Sequence, residues 1–348
     1  MGSVRSIVGF AVTVWVAFNA AQTTLYAQTT NAKLPPKLEE YLAKVVQPTA
    51  EERQQLLSGQ PIAKALEANP DIEVAVFGAT WVKAPIRAYV NAVRDIENFE
   101  RGQGFLVTKR ISSPPKIEDF SRMRVPTEDL DDIGECSVGD CNVKLGEEAI
   151  RRFQRQVDWN GPNRQTSGNS VMRQIALEYV KGYLEGGNDR LAVYKDQDRP
   201  TFVAQEFRSM VDNLPALTTF MPEMRSYLLD YPKVKLPNST SFLYWQEVEF
   251  GLKPLTRISH FTIRETPSET VVASKMLYAS HYFWTALELR VLVPDPARGT
   301  GFWLFTVSRS RSDGLSGFLG RIIGMKVRSE AAEGTLSALK ATKSRLER

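Results

Sequence analysis

The sequence predicts an α+β fold in which an antiparallel sheet is covered by a long C-terminal helix, with a helical insertion mid-chain. Three observations predict it. Strand-like runs at Arg257–Arg264, Lys275–Val293 and Gly301–Arg311 are followed by a helix that reaches the C-terminus. From Leu145 to Tyr231 the apolar spacing is helical. Near the start, Ile72–Lys83 is rich in β-branched and aromatic residues, which favours a strand. Several strands followed by one long helix give a sheet a cover and a hollow interior.

In chain order, the N-terminus reads as an export signal. Arg5 supplies the positive start, Ile7–Ala21 is an apolar run of the usual signal length, and small residues place cleavage after Ala27. That run is short for a membrane span, which needs about 20 apolar residues. A periplasmic or secreted protein is the expectation, with an uncleaved N-terminal anchor as the alternative. Residues 28–60 form a lead-in with short helices at Pro36–Val46 and Ala50–Leu57. The second opens on the capping-box pattern Thr49-x-x-Glu52. The main domain is expected over residues 61–348, with its helical insertion over about 145–231. After the Ile72–Lys83 strand, Pro85 starts a helix, Ile86–Ile96, apolar at Ile86, Tyr89, Val90, Val93 and Ile96. Phe105–Ile111 and Phe120–Val125 read as further strands on either side of Pro114-Pro115.

Cys136 and Cys141 are separated by four residues, with Gly139 permitting a tight turn. In an oxidising compartment the pair reads as a small disulfide-closed loop. A redox-active pair would more often show the C-x-x-C spacing. A metal site would need further ligands, and the chain's two histidines, His260 and His281, lie over a hundred residues on. No metal site is expected. In the helical block, Ile150, Phe153 and Val157 recur at helical spacing, as do Met172, Ile175, Ala176, Tyr179, Val180 and Tyr183. Val203–Asn213 and Met221–Leu229 continue the pattern.

Alternation assigns inward side chains in the C-terminal part. Read as one strand, Lys275–Val293 places Ala279, His281, Phe283, Thr285, Leu287, Leu289 and Val291 in one row. Glu288 and Arg290 mark the other row as the wetter side, so His281 is expected to point inward with the aliphatic residues. In the next strand Trp303, Phe305, Val307, Arg309 and Arg311 share a row, apolar until it ends in two guanidinium groups. Asp313-Gly314 turns the chain into the final helix. Its expected buried residues are Phe318, Ile322, Ile323, Val327, Ala331, Leu336, Leu339 and Leu346. Gly320, Gly324 and Gly334 each weaken this helix by up to about 1 kcal/mol relative to alanine. Such glycines suit a helix that passes close to a sheet or bends over a cavity, or they are simple kinks.

With these elements the chain resembles the START-like, polyketide cyclase-like helix-grip superfamily. The residues that carry the likeness are EVAVFGATWVKAPIRAYVNAVRD (Glu73–Asp95), the C-terminal strand series, and RSRSDGLSGFLGRIIGMKVRSEAAEGTLSALKATKSRLE as the gripped helix. The resemblance implies a curved antiparallel sheet gripping the terminal helix around a deep, apolar cavity. Lipids, sterols or polycyclic aromatics are the typical guests, and no cofactor is implied. The aromatic load from Phe242 to Phe305 suits such a cavity, although rows of aromatics at strand spacing also make ordinary core. His281, Phe283, Trp303, Phe305 and Arg309 are the candidate ligand-binding residues. His281 also reads as a structural histidine, and Arg309 and Arg311 as partners of Asp313 or Glu288. The helical block Leu145–Tyr231 has no counterpart in the smallest members of the superfamily.

Other function classes leave weaker traces. A formal charge of +4 is too small to suggest nucleic acid as a partner. Arg309–Arg348 carries nine Lys/Arg against four Asp/Glu. That is either a solvated helix face or a surface for an anionic membrane. No Gly-x-Ser-x-Gly elbow or phosphate-cradling loop occurs. The leading expectation is an exported carrier of an apolar or amphipathic small molecule. The alternatives are a cyclase- or hydrolase-like cavity enzyme with His281 as acid or base, and an interaction protein acting through the helical block or the basic helix. Oligomeric state leaves no trace in the sequence.

Overall fold

Residues 33–348, apart from Gln103 and Leu252, are described in a computed structural model of the chain. The expected export signal at 1–27 lies outside the described residues. Two short helices come first: α1 (Pro36–Tyr41), continued by one π-helical turn, and α2 (Ala50–Leu57). Both halves of the capping box form at α2, with Glu52 N donating to Thr49 Oγ1 at 3.1 Å and Thr49 N donating to the Glu52 carboxylate at 2.7 Å. Strands β1 (Ile62–Ala65) and β2 (Glu73–Val82), helices α3 (Ile86–Arg94) and α4 (Ile96–Phe99), and strand β3 (Phe105–Arg110) follow. Helix α5 (Thr127–Glu135) comes next, and the helical block contains α6 (Glu147–Gln156), α7 (Arg164–Gly186), α8 (Val203–Asp212) and α9 (Pro222–Asp230), with the small hairpin β4 (Val193–Tyr194) and β5 (Thr201–Phe202) before α8. The C-terminal part is β6 (Ser239–Val248), β7 (Leu255–Glu265), β8 (Thr270–Ala279), β9 (Phe283–Pro294), β10 (Phe302–Ser312) and α10 (Gly317–Leu346).

Eight strands join in one sheet of order β1-β2-β10-β9-β8-β7-β6-β3, antiparallel at every step. The sheet has a cover on each face, so all ten residues of β2 are buried. On one face Phe77, Trp81, Leu289, Val291, Trp303 and Phe305 pack under α1, α8 and α9. Further along that face Leu243, Trp245, Ile258 and Leu277 pack under α5, α6 and α7. On the other face Phe261, Val272, Leu292, Phe302 and Leu304 pack against α3 and Leu339 of α10. Helix α10 passes close over Gly78, where a Cβ atom would lie 2.6 Å from Thr335 Cγ2 and 2.8 Å from Leu339 Cδ1.

Lys275–Val293 is a hairpin of β8 and β9 rather than one strand. Its turn uses no glycine: Tyr282 takes φ +60°, and Lys253 N donates to its hydroxyl at 2.8 Å. Phe120–Val125 is irregular, because side chains satisfy its backbone. Val125 N donates to Asn169 Oδ1 at 2.8 Å, and Arg173 Nε donates to Met123 O at 2.9 Å. At the start of α10 the inward positions are Gly320 and Gly324, so Phe318, Ile322 and Ile323 are exposed rather than buried.

Cys136 and Cys141 form a disulfide, with Cα atoms 4.6 Å apart. The loop is also docked by backbone bonds from Gly139 N to Lys195 O, at 2.8 Å, and from Cys141 N to Asp196 O, at 2.9 Å. So short a loop restricts the unfolded chain only modestly. Replacing both cysteines by serine is therefore expected to lower stability by about 2 kcal/mol without unfolding the loop's neighbours. Urea midpoints of the two proteins measure the difference.

Candidate functional site

Beside α10, on the sheet face that it shares with α3, lies an open cleft of about 640 Å³. Its helix wall is made by Ala331, Gly334, Thr335, Ala338, Leu339, Ala341, Thr342 and Arg345. Their spacing puts them on one side of the helix, and all but Leu339 and Arg345 are small. A Cβ atom on Gly334 would meet nothing within 4 Å. Small residues along one helical stripe hold the space open. Leu304, Thr306 and Ser308 of β10 and Glu288 and Arg290 of β9 form the floor, with Arg257 of β7 beyond them. Tyr89 and Phe99, whose ring centroids are 5.9 Å apart, close one side. Phe105 and the exposed Phe250 stand at another.

The floor is charged but balanced. Arg290 donates two hydrogen bonds of 2.8 Å to the Glu288 carboxylate. Glu100 lies 3.6 Å from Arg290 and 3.8 Å from Arg257, and accepts from Gln246 Nε2 at 2.7 Å. Burial would by itself raise the Glu288 carboxyl, but Arg290 and Arg257 outweigh it and hold the group below the usual carboxylate range. Phe99 has two guanidinium groups near its ring, with Arg290 at 5.7 Å and Arg345 at 5.3 Å from the centroid. Arg290 Nη1 is buried and has no hydrogen-bond partner among the described residues. A donor left in that state costs about 1–3 kcal/mol.

The sequence-expected residues lie elsewhere. Trp303, Phe305 and Arg309 are on the opposite face, beneath the N-terminal helices and α8–α9. Trp303 packs on Trp81 at 5.3 Å and donates from its indole to Asp295 at 3.1 Å. Arg309 donates to Asn213 O at 2.7 Å, and Arg311 to Glu73 and Glu206, both at 2.9 Å, so these arginines tie β10 to its helical cover. His281, in the β8–β9 turn, is buried 2.9 Å from the carboxylate of Asp129 on α5. Phe283 comes nearest to the cleft, packing tilted against Phe250 with ring centroids 4.9 Å apart. Strand alternation identified two sides but not which one faces the terminal helix. The readable signal was Glu288 and Arg290: two charges on a strand covered on both faces mark a built polar floor.

A second polar cluster lies on the other face. His260 Nδ1 lies 2.9 Å from the Tyr183 hydroxyl, and its ring meets Tyr231 at 4.7 Å. Burial and the Lys275 charge push the His260 pKa down to about 3. Lys275, wholly buried, donates to the Asn188 side-chain oxygen and lies 4.3 Å above the Phe207 ring. Burial lowers its pKa to about 7.

No family model matches the chain, and no curated protein matches it. Among solved structures, it is similar to a STAR-related lipid transfer protein from Xanthomonas axonopodis. The match has 10% identity and a TM-score of 0.35, and covers 82% of this chain and 99% of that one. The arrangement is a helix grip. It rests on this chain's own geometry, an eight-stranded antiparallel sheet closed on one face by its terminal helix.

Proposed function

We propose that this protein binds or carries a lipid-like or other apolar small molecule in the cleft beside α10, in the periplasm or outside the cell. The observation that carries the reading is the stripe of small residues from Ala331 to Thr342 facing a cleft of about 640 Å³, a volume within the usual range for small-molecule sites. The guest's apolar body would lie along α10, Leu304 and Tyr89. Its polar end would accept from Arg290. The disulfide supports an oxidising compartment. His281 does not line the cleft and is engaged by Asp129, so the binding reading is preferred over the His281-centred enzyme. Native mass spectrometry of protein purified gently from its own compartment, followed by organic extraction, tests the proposal. A stoichiometric amphipathic adduct is expected. An apo mass that persists after incubation with fatty acids and sterols counts against it.

The first turns of α10 support a second reading, contact with an anionic membrane surface. Phe318 is 81% exposed and Leu319 72%, with Ile322, Ile323 and Met325 also exposed. Arg321 and Lys326 flank them, as in helices that lie in a headgroup layer. The protein is expected to sediment with phosphatidylserine vesicles at low salt, and Phe318→Asp with Ile322→Asp to abolish this. Sedimentation unchanged by that pair would remove the reading.

A further inference from the structure

We infer that the free edge of β6, beyond the end of β3, binds an extended peptide segment carrying a leucine-type residue beside an acidic one. The site is separate from the cleft beside α10 and independent of the function proposed for that cleft, since the two share no lining residue.

Strand pairing creates the edge. β6 begins at Ser239, but its outer neighbour β3 reaches only as far as the bond from Ile111 N to Leu243 O, at 2.8 Å. In an antiparallel strand, successive residues point their backbone groups alternately to the two sides. Asn238 O accepts from Glu265 N at 2.9 Å, so even-numbered positions of this stretch face β7 and odd-numbered ones face outward. Ser241 therefore points its N–H and C=O outward, where no backbone group meets them among the described residues. Ser241 is also exposed. Such an edge accepts an added strand, whose backbone supplies affinity and whose alternate side chains supply selectivity.

A cavity of about 480 Å³ lies along this edge, bounded by Ser241 and Leu243 on β6 and by Ser112 and Ser113 just past β3. Ser239 to Leu243 spans roughly 13 Å at about 3.3 Å per residue, room for about three guest residues. A guest residue opposite Ser241 points to the same face of the sheet as Ser241 does. That face carries Leu243 and its pair His260, with Leu184 and Tyr231 beside them, and a branched aliphatic side chain fits among these groups. The floor is uncharged, because burial keeps His260 neutral. The guest residues on either side point to the other face, where the Arg110 guanidinium lies 4.2 Å from the Phe242 ring centroid. Arg110 is exposed and makes no ion pair among the described residues. Asp119, also at the cavity, already accepts from Ser112 N at 3.1 Å and from Ser112 Oγ and Lys116 N at 2.8 Å. The unbalanced charge is thus positive, and it selects glutamate or aspartate beside the leucine.

The test titrates the whole mature protein into fluorescein-labelled Thr-Glu-Leu-Glu-Thr, read by polarisation. Three altered peptides accompany it: one N-methylated at the leucine, one with glycine in place of the leucine, and one with lysine in place of both glutamates. Saturable binding of one parent peptide per chain is expected. The N-methyl and glycine peptides should bind about tenfold more weakly, the worth of one hydrogen bond or one buried side chain, and the lysine peptide more weakly still. Ser241→Pro should abolish binding, and the fold should tolerate it because that N–H faces outward on an edge. Arg110→Ala should erase the preference for glutamate over lysine. No binding of the parent peptide, equal binding of its N-methyl form, or tighter binding of the lysine peptide overturns the site. So does binding that survives Ser241→Pro in a folded protein, or displacement of the peptide by free octanoate, which would make a small amphiphile the occupant. If Ser241→Pro fails to fold, the N-methyl and lysine peptides decide alone.

Discussion

Lys275→Met is expected to stabilise the protein at pH 6.5 by roughly 3 kcal/mol, and the gain should fade as pH rises. The lysine is buried at the centre of the sheet, and its partners, the Asn188 oxygen and the Tyr183 hydroxyl, are neutral groups. Its pKa falls to about 7 in the folded chain, from 10.5 when exposed. Between those values the unfolded chain holds a proton that the folded chain has released. Stability of the native protein should therefore rise with pH across that window, and the full cost of burying the charge is present below about 7. Methionine has no such group and nearly the same shape. Contacts of the ammonium with Phe207 and Tyr183, at 4.3 and 5.1 Å from their ring centroids, offset part of the cost. Urea unfolding at pH 6.5, 8.5 and 10 measures the difference, and a difference that does not vary with pH would contradict the account. His260 adds a separate acid limb. Its folded pKa of about 3 against 6.5 means that stability is lost as pH falls through that interval.

Gly78→Val is expected to cost about 2–3 kcal/mol and to loosen α10. Valine is the better strand residue, and an isolated strand would favour the change. The overlap decides the sign. The new Cβ would sit 2.6 Å from Thr335 and 2.8 Å from Leu339, and Leu339 is the buried residue that anchors α10 to the sheet. Displacing the helix opens the face with Phe302, Leu304 and Leu292. The measurement is urea stability together with protease cleavage within α10. A stable protein with a protected helix would show that the sheet does not grip α10 at this point.

The elements with strong periodic signals were legible: β2, α3, β7, β10, α10 and the helical block. The capping box at Thr49 was legible too, because its chemistry is local. The β8–β9 turn was hidden because Tyr282 adopts the left-handed conformation in place of glycine or asparagine, held by a backbone donor 29 positions away in sequence. Helix α5 was masked by its acids. Three of them are accounted for in the fold: Asp129 holds His281, Asp132 holds Lys253 at 2.7 Å, and Asp131 holds Arg164 at 2.5 Å. The cleft was hard to read for a different reason. Alternation tells which side chains share a face, but not which face meets a given helix. The row of Trp303, Phe305 and Arg309 was the more apolar and met the larger helical cover. The row with Glu288 and Arg290 met α10, whose wall there is mostly small residues and leaves space.

The most direct test of the central claim is titration of the mature protein and of Ala338→Trp with a fluorescent fatty acid, read by probe fluorescence. Ala338 lines the cleft from the helix side and is exposed, so an indole there would occupy the guest's volume without disturbing the core. The account predicts saturable binding of about one probe per chain to the native protein and at least a tenfold loss in Ala338→Trp, with an exposed Phe318→Trp control unaffected. Equal binding by all three proteins, or none by the native one, would contradict it.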